Sequence, residues 1–230
     1  MPRLLAVLLL LGAALAFRPS AALAQSEEQA LVDHAALTVQ EILTQGDPGA
    51  AQDAQRMLRR ARAVVVCPRI FRAGFFFGGE GGGCVLLGRD AAGSWSSPAF
   101  YGLASGSFGL QIGVQDMEVL MLVMSERGLS ALMDSQVKIG ADVSLALATV
   151  GAGLEGATTA AGGADILVLA RSRGLFAGIA LEGTLLSVRS DSNRNYYGRE
   201  VGPRQIVLAM EAHNPGADPL RAVLMRYGSP

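Results

Sequence analysis

The amino-acid sequence predicts an α+β protein. We expect a glycine-rich antiparallel β-sheet, curled into a barrel- or sandwich-like core, with an N-terminal helical hairpin and C-terminal helices. Apolar residues recur at helical spacing near both ends of the chain, and they alternate with small or polar residues from Ala63 to about Val188. Glycine accounts for 29 of the 230 residues. Because glycine inside a strand marks a bend, a bulge or a close backbone approach, this abundance favours a curved sheet.

The first 24 residues predict a signal peptide. Arg3 precedes an apolar run from Leu4 to Phe17, and Ala22-Leu23-Ala24 has the small-x-small spacing of a cleavage site. The apolar run is shorter than the roughly 20 residues that span a bilayer. We therefore expect cleavage near Ala24-Gln25, a periplasmic or secreted protein, and a single domain over residues 25–230.

Helix signals frame the region of strands. Ser26 to Gln29 reads as a capping box that opens the first helix, and Pro48 opens a second helix that runs to about Arg62. Strands are predicted over Ala63–Cys67, Cys84–Leu87, Phe108–Gln115, Met117–Met124, Val143–Ala148, Ile166–Ala170 and Gly178–Val188. Further helices are predicted over Ser125–Gln136, with Ser125 as N-cap, over Pro203–Ala212 and over Asp218–Arg226.

Composition and motifs argue against several classes of function. The leader holds two of the 19 basic residues and none of the 20 acidic ones, so the mature chain carries a net charge of -3. Nucleic-acid binding, which needs clustered excess Lys and Arg, is therefore not expected. The only lysine, Lys138, does not belong to a P-loop, and two cysteines with two distant histidines do not supply a local zinc site. We expect no cofactor.

Enzyme signatures are weak. Gly151 to Gly156 matches the dinucleotide motif G-x-G-x-x-G, but the segment after it is too short and too poor in helix formers for a crossover helix. The chain has two histidines, His34 and His213, so a Ser-His-Asp triad is possible by composition. No local sequence motif of a triad accompanies either residue. Three glutamates beside glycines are alternative candidates for acid–base chemistry: Glu80, Glu155 and Glu182.

The two cysteines lie 17 residues apart at the edges of predicted strands. In an exported protein, Cys67 and Cys84 either form a disulfide or remain two buried thiols.

A local excess of positive charge follows the second predicted helix. Arg56, Arg59 and Arg60 share one face of that helix, and Arg62, Arg69 and Arg72 follow it. These arginines are either a solvated face or a contact for an anionic membrane surface, to which each basic residue contributes about 1 kcal/mol.

Several glycine-rich blocks resemble the SYLF domain family. They occur in family order and cover nearly the whole mature chain: Cys67–Phe75, Gly78–Gly83, Ser107–Gln115, Arg173–Gly178, Leu181–Gly183 and Asn195–Gly198. Arg72 stands where the family often has Lys before Ala-Gly-Phe, whereas Cys67 and Cys84 depart from the family pattern.

The resemblance implies a non-enzymatic lipid-binding module. Eukaryotic SYLF members bind phosphoinositides through a basic N-terminal region, and some bind actin. For an exported protein, anionic phospholipid of the cell envelope is the expected partner, bound through Arg56, Arg59, Arg60, Arg62, Arg69 and Arg72. The alternative is a structural or protein-interaction module of the envelope, whose flat Gly and Gln strand face meets another protein.

Overall fold

A computed structural model describes residues 20–44, 48–74, 77–108, 113–149, 163–174, 181 and 183–229. Most of the predicted leader and the whole Gly151–Gly156 motif lie outside these residues.

The described chain begins and ends with helices around a sheet. Helices α1 (Ser20–Thr44) and α2 (Pro48–Arg60) precede the strands, and α3 (Glu126–Leu132) follows the fourth strand. The strands are β1 (Ala63–Gly74), β2 (Phe77–Gly88), β3 (Ala99–Phe108), β4 (Gly113–Val123), β5 (Gln136–Lys138), β6 (Leu145–Thr149), β7 (Ile166–Gly174) and β8 (Leu185–Val188). Then come α4 (Ser190–Tyr197), a π-helical turn (Arg204–Leu208), a 3-10 turn (Pro215–Ala217) and α5 (Asp218–Gly228).

The eight strands form one sheet that curls into a half-barrel, in the order β5-β8-β3-β2-β1-β4-β7-β6. Neighbouring strands are antiparallel except for β6 and β7, which pair in parallel at one edge. The predicted α+β class is thus confirmed.

The sheet is buried on both faces. Val64 and Val66 of β1 belong to the core that α1, α2 and α5 cover, which we call the helical face. Val65 and Cys67 belong to a second core on the opposite face, which includes Leu132 of α3. Because successive side chains of a strand point to opposite faces, burial on both faces explains why residues 63–67 form an unbroken apolar run.

Some boundaries differ from the prediction. Helix α1 begins before the predicted N-cap at Ser26, since Ala21 to Ala24 are strong helix formers. Ser125 is the N-cap of α3 as predicted, but the helix ends at Leu132. The predicted strand Phe108–Gln115 is wrong as one element. Phe108 ends β3 and Gly113 begins β4, and these two strands run in opposite directions. The alternation of apolar and polar residues continues across both strands, so it does not reveal the change of direction.

A bulge interrupts β1 beside the two cysteines. Cys67 and Cys84 are joined by a disulfide between β1 and β2, and both residues are buried. The pairing of β1 with β4 then shifts between Cys67 and Ile70, where Pro68 has no N–H to donate. The carbonyl oxygen of Arg69 projects toward Gly82 of β2, where an added Cβ would lie 2.3 Å from that oxygen. Only glycine fits opposite the bulge.

This close approach predicts that Gly82→Ala destabilises the protein by about 2–3 kcal/mol, because a backbone atom must move to admit the methyl group. Gly106→Ala is the matched control. An added Cβ there meets no atom within 4 Å, so its effect should stay within about 0.5 kcal/mol. Urea unfolding of the two variants checks the expectation, and equal unfolding midpoints would refute it.

Candidate functional site

The C-terminal end of α2 brings four of the predicted arginines to one end of the sheet. Arg59 and Arg60 lie in the last turn of α2, where positive charge interacts favourably with the helix dipole. Arg62 is fixed by its backbone, whose N–H donates to the carbonyl of Val123 and whose carbonyl accepts from Arg89, both at 2.8 Å. This is the end of the sheet at which β1 begins and β2 and β4 finish.

Helix α5 adds a fifth arginine that the sequence analysis did not include. Arg226 lies in the last turn of α5, and the same helix ends at Gly228 against Leu58 of α2. We call the group formed by Arg56, Arg59, Arg60, Arg62 and Arg226 the basic end. The sequence does show Arg226 in the last turn of a predicted helix. It does not show that this residue lies near Arg62, because the two are 164 residues apart in the chain.

The charges of the basic end are largely available to solvent. Arg56 pairs with Asp53 on the same helix, and Arg62 Nη1 lies 3.1 Å from Glu126 Oε1, with all four side chains at the surface or only partly buried. Exposed pairs of this kind contribute at most about 1 kcal/mol and open readily. Among the described residues, Arg59, Arg60 and Arg226 form no ion pair.

Arg89 holds the basic end together from within. Its Nη1 donates to the carbonyl of Arg59 at 2.6 Å, and its Nη2 donates to the carbonyl of Gly228 at 2.9 Å. One guanidinium therefore caps the C-termini of α2 and α5, whose last carbonyls have no partner within their helices. The same group lies 5.7 Å from the ring centroid of Trp95 in a cation–π contact.

A shallow depression of about 500 Å³ lies at this end between Arg62, the turn that holds Ala91 and Ala92, and Met225 of α5. Both alanines are exposed, and Met225 is 40% exposed. Asp90 fixes the turn, since its side chain accepts from the N–H of Ser94 at 2.8 Å. The depression therefore places a small, exposed apolar surface beside Arg62 of the basic end.

The structure separates Arg69 and Arg72 from the other four predicted arginines. Arg69 lies seven residues beyond Arg62, which corresponds to roughly 20 Å along an extended strand. It forms a two-pronged hydrogen bond to Asp116, at 3.1 and 3.2 Å, and this bond raises the pKa of the Arg69 guanidinium.

Arg72 is a buried partner of Glu80. Its Nη2 lies 2.6 Å from Glu80 Oε2, and the two side chains are 13% and 1% exposed. Thr184 donates to the other oxygen of Glu80 at 3.2 Å. Removing one member of such a buried pair leaves an uncompensated charge, so the pair is a structural element of the sheet.

The enzyme candidates are not assembled into an active site by the described residues. Glu80 forms an ion pair with Arg72, while Glu155 and Glu182 lie outside the described residues. Ser97 Oγ lies 3.5 Å from His213 Nδ1, and His213 Nε2 lies 4.0 Å from Asp218 Oδ2. Both separations exceed hydrogen-bond range for a triad, and Ser97 is only 4% exposed.

Within the described ranges, no group of three or more His, Cys, Asp or Glu side chains is placed to hold a metal ion. None of the described helices is long and apolar enough to cross a membrane.

The position of Arg89 generates a stability prediction. Arg89→Ala removes the shared cap of α2 and α5 and should destabilise the protein by about 2–4 kcal/mol, since two partly buried carbonyls lose a charged donor. Arg60→Ala is the control, because Arg60 is exposed and should change stability by no more than about 0.5 kcal/mol. Guanidinium unfolding curves measure both, and an Arg89→Ala variant as stable as Arg60→Ala would contradict the proposed role.

Comparison with known proteins identifies relatives of this fold. A family model described as "Ysc84: Las17-binding protein actin regulator" matches residues 104–227. Protein YSC84 of Saccharomyces cerevisiae is 30% identical over 171 residues, which are 73% of this chain and 36% of the yeast protein. LAS seventeen-binding protein 3 of the same species is 28% identical over 171 residues, which are 73% of this chain and 37% of the yeast protein.

SH3 domain-containing YSC84-like protein 1 of Xenopus laevis is 33% identical over 145 residues, which are 63% of this chain and 43% of the frog protein. The chain thus spans less than half the length of these three relatives. The family is one of binding and regulatory domains, and the predicted SYLF resemblance is confirmed. The chain belongs to the Ysc84 family, the family of the SYLF domain.

Proposed function

We propose that this protein is an exported, non-enzymatic lipid-binding protein that attaches to anionic phospholipid surfaces of the cell envelope through the basic end. The observation that carries the proposal is the grouping of Arg59, Arg60 and Arg226 without ion pairs to described residues, on two helix ends that Arg89 joins. A membrane surface is broad and negatively charged, so it can contact all of these side chains at once.

Two further features support this proposal. The exposed Met225, which lines the same depression as Ala91 and Ala92, offers a small apolar contact beside Arg62. The Cys67–Cys84 disulfide suits an exported chain, because disulfides persist in oxidising compartments such as the periplasm. Arg69 and Arg72 are left out of the proposed contact, since each is bonded to a carboxylate elsewhere in the fold.

Charge neutralisation tests the lipid proposal. The triple variant Arg59→Gln, Arg60→Gln, Arg226→Gln should weaken binding to phosphatidylglycerol vesicles about 100-fold at low salt, since each arginine contributes about 1 kcal/mol. The control removes the same charge elsewhere through Lys138→Gln, Arg194→Gln and Arg199→Gln, all at exposed positions.

Vesicle cosedimentation at two salt concentrations measures the effect, because surface electrostatics weaken as salt shortens the Debye length. Equal losses for both triple variants would show that only overall charge matters. Undiminished binding by the first variant would place the lipid contact elsewhere.

A second candidate function is binding of another envelope protein, and the glycine pattern of the sheet favours it. Gly79 of β2 and Gly106 of β3 are directly paired, lie on the helical face beyond α1, and are exposed. A Cβ added at Gly79 would lie 3.9 Å from the carbonyl oxygen of Ser105 and within 4 Å of no other atom. A Cβ added at Gly106 would lie within 4 Å of no atom. Packing against the described residues does not require these glycines, whereas close approach of another backbone would.

The name of LAS seventeen-binding protein 3 and the description of the family model refer to binding of another protein, and we extend to this chain only that general property. Gln115, the last residue of the predicted strand with the flat Gly and Gln face, is buried.

The second candidate predicts that Gly79→Gln with Gly106→Gln abolishes crosslinking to an envelope protein in intact cells. Vesicle binding and stability should stay unchanged, because the two side chains fill open space without altering the charge. The Arg59, Arg60 and Arg226 variant should behave in the opposite way. A crosslinking pattern that does not respond to the two glycine substitutions would exclude this face as the docking surface.

A further inference from the structure

One carboxylate oxygen on α1 is buried without a partner among the described residues. Glu28 is 6% exposed, and its Oε2 atom is buried with no hydrogen-bond donor in the part of the chain that the structure describes. Glu28 also forms no ion pair with the residues that the structure describes. Buried carboxylates are normally paired or hydrogen-bonded, because the loss of hydration costs several kcal/mol. An unpaired one therefore points to a missing ligand.

Glu28 faces a cavity of about 160 Å³ between α1 and the sheet, lined also by Glu27, Leu31, Gly83, Phe100 and Arg189. The walls of this cavity are well packed. Leu31 lies so close to β2 that an added Cβ at Gly83 would be 3.1 Å from its methyl group, and the aliphatic part of Arg189 covers Gly102. The guanidinium of Arg189 forms no ion pair with described residues, and this side chain is exposed at the cavity mouth.

A second side chain with a buried polar atom is bonded to the backbone of Phe100. The side-chain oxygen of Asn193 accepts from the backbone N–H of Phe100 at 2.9 Å, and Phe100 lines the cavity. The Nδ2 atom of the same side chain is buried without an acceptor. Of the residues that line the cavity, Glu28 thus offers an acceptor and Arg189 a cationic donor.

We propose that this cavity binds a small zwitterion that carries a primary ammonium group and an anionic oxygen group. The ammonium donates to Glu28, and the anionic group accepts from Arg189. At about 30 Å³ per water, the cavity corresponds to roughly five water molecules, so the bound group has the size of phosphoethanolamine. The source is either a free zwitterion or the headgroup of a phosphatidylethanolamine lipid. The site is separate from the basic end and does not depend on it.

The test uses the whole protein and O-phosphoethanolamine as the soluble probe. Isothermal titration should detect binding that Glu28→Gln and Arg189→Gln each weaken about tenfold or more, because each removes one charged hydrogen bond. Glu211→Gln, at an exposed carboxylate elsewhere, should leave the affinity unchanged. Ethanolamine alone and inorganic phosphate alone should each bind more weakly than the zwitterion.

The two sources are distinguished by vesicles that contain phosphatidylethanolamine in phosphatidylcholine. Binding of vesicles that Glu28→Gln abolishes indicates the lipid headgroup, whereas binding of the soluble probe alone indicates a free zwitterion. If neither the probe nor the vesicles bind, or if Glu28→Gln and Arg189→Gln leave binding unchanged, the proposal fails. Should Glu28→Gln not fold, Arg189→Gln at its exposed position decides the outcome. None of these variants alters the basic end, so failure here leaves the proposed function intact.

Discussion

The hydrogen bonds of Arg89 are the interaction on which the candidate surface depends. A single guanidinium satisfies the last carbonyls of α2 and α5 and stacks on Trp95, so two helices that are distant in sequence end side by side. Arg59 and Arg60 end one of these helices and Arg226 ends the other, so a fixed scaffold is needed to hold two positively charged helix ends side by side. Arg89 provides it because its planar guanidinium holds five N–H donors in a fixed fork, whereas a lysine ammonium is a compact charge on a flexible stem.

The sheet supplies the second constraint, and its glycines serve different purposes. Gly82 is required by the bulge that displaces the Arg69 carbonyl, and Gly88 by the approach of Val207 from the π-helical turn, whose carbonyl oxygen would lie 2.8 Å from an added Cβ. Gly79 and Gly106 have no such internal requirement. The same residue type is therefore structural at some positions and leaves an open surface at others, a distinction that only packing reveals.

Much of the fold could be predicted from residue patterns, because its main signals are local. The Pro48 helix start, the Ser125 cap and the alternation of the central strands each depend on neighbours within one element. The site was predicted only in part. Arg72 looked like a member of the basic cluster, but strand geometry points it at Glu80, and Arg226 joins the cluster only through the packing of α5 on α2. Helix α4 was missed because its sequence is polar and lacks an apolar period.

The central claim is that the basic end is the surface that meets the membrane. Hydrogen–deuterium exchange of the intact protein, with and without phosphatidylglycerol vesicles, tests this claim most directly because it locates the contact without substitutions. The account predicts slower exchange on vesicle binding in the segments 56–62, 89–94 and 222–229, with little change in the Gly79 and Gly106 strands. Protection confined to the strands around Gly79 and Gly106, with none in those three segments, would contradict it.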